Sequence, residues 1–178
     1  MAILTEGGAR VADEGRMKGN ELVVRADFAR YRRDRAQQIH FQGLWFTLAR
    51  SNWNSLVLVP ADEGDSAAGI ATALADVGRR LRNTPVTFLV MAGSIDYASA
   101  GRFVSAVAGK GGQAAGDPPS SRVIVAVPSV IVEPLALAVT DAADAIALYV
   151  RKGSTRLKAA ARTIELVGRD RIVGCVLG

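Results

Sequence analysis

The residues best placed to do chemistry are Asp62, Glu63, Gly64, Asp65 and Ser66, which follow the apolar run Leu56 to Val59 and precede a helix-forming stretch. A glycine-bearing loop between a buried strand and a helix is an arrangement that cradles phosphate. Backbone amides at the helix start point at the anion, and in the pattern G-x-x-x-x-G-K-[ST] a lysine neutralises it. Gly64 and Ser66 fit that pattern, but Asp65 stands where the lysine belongs and Val59 where the first glycine belongs. The loop therefore reads as a degenerate nucleotide-binding loop. An aspartate in place of the lysine reverses the local charge beside two further acids. Two like charges about 4 Å apart repel by ~4 kcal/mol at an effective dielectric near 20, and phosphoryl transfer works almost wholly by positioning and charge neutralisation. An acid near a helix N-terminus instead stabilises the helix by ~0.3–1 kcal/mol, so Asp65 is expected to substitute for the phosphate. Asp62, Glu63 and Asp65 are also hard oxygen ligands that suit magnesium or calcium. The ligand number and spacing of a calcium loop are missing, and a solvated acidic turn accounts for the same residues.

Other reactive residue types are sparse. His40 is the single histidine, so a zinc site is not expected. Cys175 is the single cysteine, which excludes an internal disulfide; within the apolar run IVGCVL it reads as a buried, inert thiol. Tyr97 and Tyr149 read as packing residues, with phosphorylation by another kinase as the alternative. The net charge of +5 is unevenly spread. Basic residues cluster at Arg30 to Arg35, and Arg151 to Arg171 holds seven Lys or Arg against two acids. Solvated helix faces explain both clusters, and anionic lipid is the alternative. Nucleic acid is not expected as a partner, because the second cluster has no interleaved aromatics on which bases would stack.

The elements that position the acidic loop follow from the apolar pattern. The chain has 178 residues, 49% apolar and only 6% aromatic, which suits a core of Ala, Val, Leu and Ile in a sheet buried on both faces. Continuous apolar runs predict strands at Leu56 to Val59, Val86 to Ala92, Arg122 to Val127, Ala145 to Val150 and Arg171 to Leu177. Helices are predicted over 36–50, from Ser66 or Asp65 as cap to about Leu81, over 95–108 and 134–143, and from Ser154 as cap to Val167. In the last, Leu157, Ala161 and Ile164 are expected to point inward; Gly78 is expected to weaken the second slightly. Alternating strands and helices predict a three-layer α/β sandwich with a mainly parallel sheet. Residues 1–35 are expected to be a loose or partly helical segment before a domain spanning 36–178, and 109–121 a flexible loop. No secretory signal and no membrane span are read, so a cytoplasmic location is expected.

Taken together, the chain resembles the cytoplasmic kinase domain of bacterial tyrosine kinases that work with polysaccharide chain-length regulators, in the MinD/ParA branch of P-loop proteins. The resemblance covers about residues 36–178 and is clearest in PLALAVTDAADAIALYVRKGSTR followed by ELVGRDRIVGCVLG. Asp144 matches an Ala-Asp before a strand, and Arg151 to Arg156 a V-R-x-G-x-T-R pattern at a strand end. The family's phosphate loop reads roughly P-G-E-G-K-S-T, where this chain has Asp62, Glu63, Gly64, Asp65, Ser66 and Ala67. Its D-x-D stretch, which handles magnesium and the attacking hydroxyl, is here Met91, Ala92 and Gly93. Its D-T-P-P stretch is here Ala126, Val127, Pro128 and Ser129, and its tyrosine-rich tail has no counterpart before Gly178.

The resemblance with these losses implies a non-catalytic scaffold in exopolysaccharide or capsule synthesis and export. Its partner would be a membrane chain-length regulator or an active kinase, with indirect membrane association. Homo-oligomer formation in the family uses a helix before the phosphate-loop strand, and here that stretch offers Phe41, Trp45 and Phe46. With Arg151, Lys152 and Arg156 these form an expected partner surface; cover for the sheet is the alternative for the aromatics. No cofactor is expected. ATP with magnesium belongs to an alternative reading as a residual kinase or ATPase, and a further alternative is a MinD/ParA-like peripheral positioning protein.

Overall fold

The computed structural model describes residues 39–82, 85–93, 95–109 and 122–178. The expectations for residues 1–35, and for the loop 109–121 beyond Gly109, fall outside the described residues. The sheet belongs to a compact unit that spans Phe41–Gly178.

A helix over 39–49 (α1) leads through a short turn to β1 (Ser55–Pro60). There follow α2 (Ala68–Arg82), β2 (Val86–Val90), α3 (Tyr97–Val107), β3 (Arg122–Ala126), α4 (Leu135–Ala142), β4 (Ala145–Val150) and α5 (Leu157–Val167). A 3-10 turn, Arg169–Arg171, enters β5 (Ile172–Leu177). All five strands are parallel, in the order β2-β3-β1-β4-β5. β1 lies at the centre, with Val57 opposite both Val125 of β3 and Ile146 of β4. All six of its residues are buried, which explains its unbroken apolar run.

The crossover from β1 runs one way along the sheet, and those from β2, β3 and β4 run the other way. Right-handed connections then place α2 on one face and α3, α4 and α5 on the other. The two halves of the core agree. Leu56, Leu58 and Ile124 pack with Leu74 of α2 and Trp45 and Leu48 of α1. Val57, Val59, Val125 and Ile146 pack with Ala100 of α3, Val139 of α4 and Val167 of α5. Each fully buried Val, Leu or Ile contributes roughly 1.5–3 kcal/mol. The result is the expected three-layer α/β sandwich around a parallel sheet, with the strand and helix order of a P-loop NTPase-like fold.

Several local expectations need correction. Trp45 is not a surface residue: it is 1% exposed, its ring meeting Trp53 edge to face at 5.8 Å between centroids. Gly78 does not simply weaken α2, because a Cβ there would lie 2.3 Å from the Trp45 ring. The glycine is the space into which the indole fits. In α5 the buried residues are Ala159, Thr163 and Val167, while Leu157 is 86% exposed and Ala161 is exposed. The helix begins after Arg156, not Ser154, and no side chain caps it. Cys175 is exposed, because β5 is the last strand of the described sheet and its thiol faces outward beside α5.

Two polar ties hold the far end of the sheet. The Asp144 carboxylate accepts from the backbone N–H groups of Asn54 and Ser55, each at 2.9 Å, and the Ser55 hydroxyl accepts from Asp144 N–H. Burial raises the Asp144 carboxyl, but these hydrogen bonds outweigh it and leave the group below the usual carboxylate range. Arg171 closes α4 by donating to the carbonyls of Thr140, Asp141 and Ala143.

Candidate functional site

In an open parallel sheet, ligands lie beyond the C-terminal ends of the strands, where neighbouring crossovers depart to opposite faces. Here that point is the end of β1, whose crossover leaves toward α2 while those of β3 and β4 leave toward the other face. The loop 61–67 occupies it. Its first residue is fixed twice: Ala61 N–H donates to the Tyr149 carbonyl at 2.8 Å, and the Thr163 hydroxyl donates to the Ala61 carbonyl at 3.2 Å. Gly64 turns the loop at a φ of 75°, a conformation that side chains disfavour.

The acids of this loop are not solvated as a group, and they do not converge as metal ligands. Asp62 is folded onto Arg156. Its carboxylate accepts from the Arg156 backbone N–H at 2.7 Å, from Nε at 3.0 Å and from a terminal guanidinium nitrogen at 2.6 Å, and also from Glu63 N–H at 2.7 Å. The side-chain hydrogen bonds from Arg156, the backbone donors and its positive charge hold the Asp62 carboxyl far below the usual carboxylate range. The same pairing raises the Arg156 guanidinium. Glu63 stands farther off, 3.6 Å from that guanidinium, with its side chain half exposed.

Asp65 takes a second partner. Its carboxylate lies 2.9 Å from the Arg151 guanidinium and accepts from the Thr155 hydroxyl at 3.2 Å. Thr155 accepts in turn from Arg151 N–H at 2.7 Å, and Arg151 also donates to the Ser154 hydroxyl. The Asp65 side chain is 3% exposed and that of Asp62 8%, whereas Arg151 and Arg156 are 51% and 63% exposed. The acids are thus the inner half of the clasp and the guanidinium groups the outer half. Asp65 consequently does not stand in for a phosphate at the start of α2. The first turn of that helix is met by Ser66, whose hydroxyl accepts weakly from Ala68 N–H at 3.4 Å.

The other sequence-derived positions lie around the same end. Met91 is buried just past β2 and donates its N–H to the Ala126 carbonyl at 2.9 Å; Gly93 follows at a φ of 81°. Ala126 ends β3 as a buried apolar residue. None of the three supplies a carboxylate. Ser129, just past β3, is buried, and its hydroxyl meets no partner among the described residues. Of the expected partner surface, Phe41 is half-buried against the core, Trp45 is within it and Phe46 is 50% exposed on α1. Arg151, Lys152 and Arg156 sit on the β4–α5 connection instead, so the set is divided between two elements. Thr163, which anchors the loop, escapes a reading of sequence because it belongs to neither a charge run nor an apolar pattern; Thr155, which completes the clasp, lies within the V-R-x-G-x-T-R stretch, but that pattern gave it no role. Among the described residues no group of three His, Cys, Asp or Glu side chains is arranged to hold a metal, and no helix is long and apolar enough to cross a membrane. No family model and no curated protein matches the chain.

Proposed function

We propose that this protein is a non-catalytic scaffold built on a nucleotide-binding type of fold. One observation carries the reading. Where phosphates would meet a loop and a lysine, the loop presents Asp62 and Asp65, and the nearest guanidinium groups are already engaged by those carboxylates at 2.6 and 2.9 Å. A nucleotide would have to displace two buried acids from their partners while standing close to three negative side chains. The absence of an acid at Met91, Gly93 and Ala126 supports the same reading, since these positions offer no carboxylate to order a metal. By the resemblance in sequence, the process served is exopolysaccharide or capsule export, and the partner a membrane chain-length regulator or an active kinase.

Calorimetric titration with ATP and ADP, each with and without magnesium, tests the reading. No heat and no thermal shift at millimolar nucleotide is the expected result. Binding at micromolar concentration overturns the scaffold reading and favours a residual nucleotide-dependent enzyme.

A further inference from the structure

Two large apolar side chains stand in the open beside the last strand. Leu157, at the start of α5, is 86% exposed, and Leu177, at the end of β5, is 64% exposed. Leu157 recurs with Ala161, Ile164 and Gly168 at helical spacing, an uncharged face turned away from the buried Ala159, Thr163 and Val167. Ala161 and Ile164 wall a groove of about 590 Å³, whose floor is Leu148 of β4 and Ile172 and Cys175 of β5. Cys175 and Leu177 lie opposite Leu148 and Val150, so both point to this same face of the sheet. Among the described residues β5 pairs only with β4, and its sequence IVGCVL has neither charge nor proline to blunt the edge.

We infer that this edge and groove are the interface between two copies of the chain, β5 pairing antiparallel with β5 about a two-fold axis through the sheet. Residues opposed in an antiparallel pair share a face, so such an axis passes through a residue, and the middle of Ile172–Leu177 puts it at Cys175 or a neighbour. The exit end of each strand, with Leu177 and the nearby start of α5, then meets the entrance end of the other, where the groove floor is Ile172. With strands about 4.8 Å apart, the two α5 helices flank the joined grooves about 10–14 Å apart, which Leu157 and Ile164 of both copies can span. The seam carries no charge, and its ends are complementary. Lys152, whose N–H donates to the Gly178 carbonyl at 2.8 Å, stands at the exit of β5, and Asp170 at its entrance. Both are exposed and neither makes an ion pair among the described residues. Antiparallel pairing brings Lys152 of each copy to Asp170 of the other, twice. The rest of the rim is mixed in sign: Arg169 lines the groove with Asp170 next to it in sequence, and Glu165 is held by Arg162 at 3.2 Å. β5, the α5 face and these ends offer each copy somewhat fewer residues than the roughly 20–30 of a standard interface, which sets the dimer in the micromolar range. The inference is independent of the scaffold reading.

Sedimentation of the full chain from micromolar to sub-millimolar concentration reads the association, and Cys175 reports the face. It is the single cysteine of the chain, so a bifunctional maleimide spanning about 8 Å, the reach between diagonal positions of a strand pair, joins two copies only where their β5 strands meet. A monomer–dimer equilibrium that goes no further is expected, with the cross-linked dimer rising in step with it. Ala161→Glu, at an exposed position of the uncharged face, should weaken the dimer at least tenfold and remove the cross-link. Asp170→Lys should weaken it about tenfold, and adding Lys152→Glu should restore it. Complete labelling of every variant by a monofunctional maleimide in dilute solution shows that the thiol stays open, so a lost cross-link means a lost contact. A chain that remains monomeric at the highest concentration overturns the inference. So does a dimer that the reagent does not join or that Ala161→Glu leaves intact, either of which assigns association to another face. Failure of Lys152→Glu to rescue Asp170→Lys overturns the antiparallel arrangement on which the inference stands.

Discussion

Replacing Gly78 by alanine sets two effects of known size against each other. On propensity alone the change favours α2 by about 1 kcal/mol. The structure opposes it. The new Cβ would lie 2.3, 2.6 and 2.9 Å from three carbons of the Trp45 ring, where carbon contacts normally begin near 3.5 Å. The ring must therefore retreat by more than an ångström, yet it is 1% exposed and packed edge to face against Trp53. Overpacking a closed core costs ~1–3 kcal/mol, and a displacement of this size belongs at the upper end. The net expectation is a loss of about 2 kcal/mol, a fall in Tm of about 4–8 °C at 2–4 °C per kcal/mol. Gly69→Ala provides the control. It lies in the same helix, exposed, with nothing within 4 Å of the added Cβ, so it should gain about 0.5–1 kcal/mol and raise Tm slightly. Urea and thermal unfolding followed by circular dichroism, with tryptophan fluorescence as a second probe, would measure both. If Gly78→Ala proves as stable as wild type, the account of that glycine as the seat of the indole is wrong.

Two further expectations concern ionised groups. The folded-state pKa of Asp62 lies below its unfolded value near 3.9, so its contribution is present above that pH and is lost as pH falls toward the folded value. Asp62→Asn should therefore melt below wild type at pH 7, and the gap should narrow steadily as pH falls below about 4; parallel curves from pH 7 to pH 2 would show that the clasp contributes nothing. Arg171→Ala removes three hydrogen bonds to carbonyls at the end of α4 and should cost ~1–3 kcal/mol in urea unfolding, with lysine recovering only part because it lacks the guanidinium fork.

The strands were legible because each is a continuous apolar run, and such runs mark a sheet buried on both faces. Their predicted ends lie within one or two residues of those observed. The phase of α5 was not legible. Leu157 and Ile164 are the large apolar residues, and a periodicity argument follows size. The packed face instead uses Ala159, Thr163 and Val167, and Thr163 is tolerated there because its hydroxyl reaches the Ala61 carbonyl. Trp45 was misplaced for a related reason. Its burial depends on Gly78 opposite it, 33 positions along the chain, and no local pattern reports that partnership. Cys175 lies in an apolar run that reads as buried, but a strand at the edge of a sheet exposes part of what a central strand would cover.

The clasp between loop 61–67 and the β4–α5 connection was invisible for a different reason. The sequence shows an acidic run and a basic run 94 positions apart, and each separately suits a solvated surface. They meet because β1 and β4 are neighbours and parallel, so both connections emerge from the same end of the sheet. Once the strand order is known, opposite charges following two adjacent parallel strands are a signal that the loops pair. That pairing also explains how a loop at this place in the fold can stay ordered without a bound anion. Removing the ligand from an ordinary site leaves a cation and backbone donors without a partner. Here the guanidinium groups and the Arg156 N–H are satisfied by carboxylates held almost fully buried. The loop needs no ligand to stay ordered. Placing lysine at position 65 would therefore not by itself open an anion site: it would set a cation against Arg151, break the bond from Thr155, and leave Asp62 still closed over Arg156.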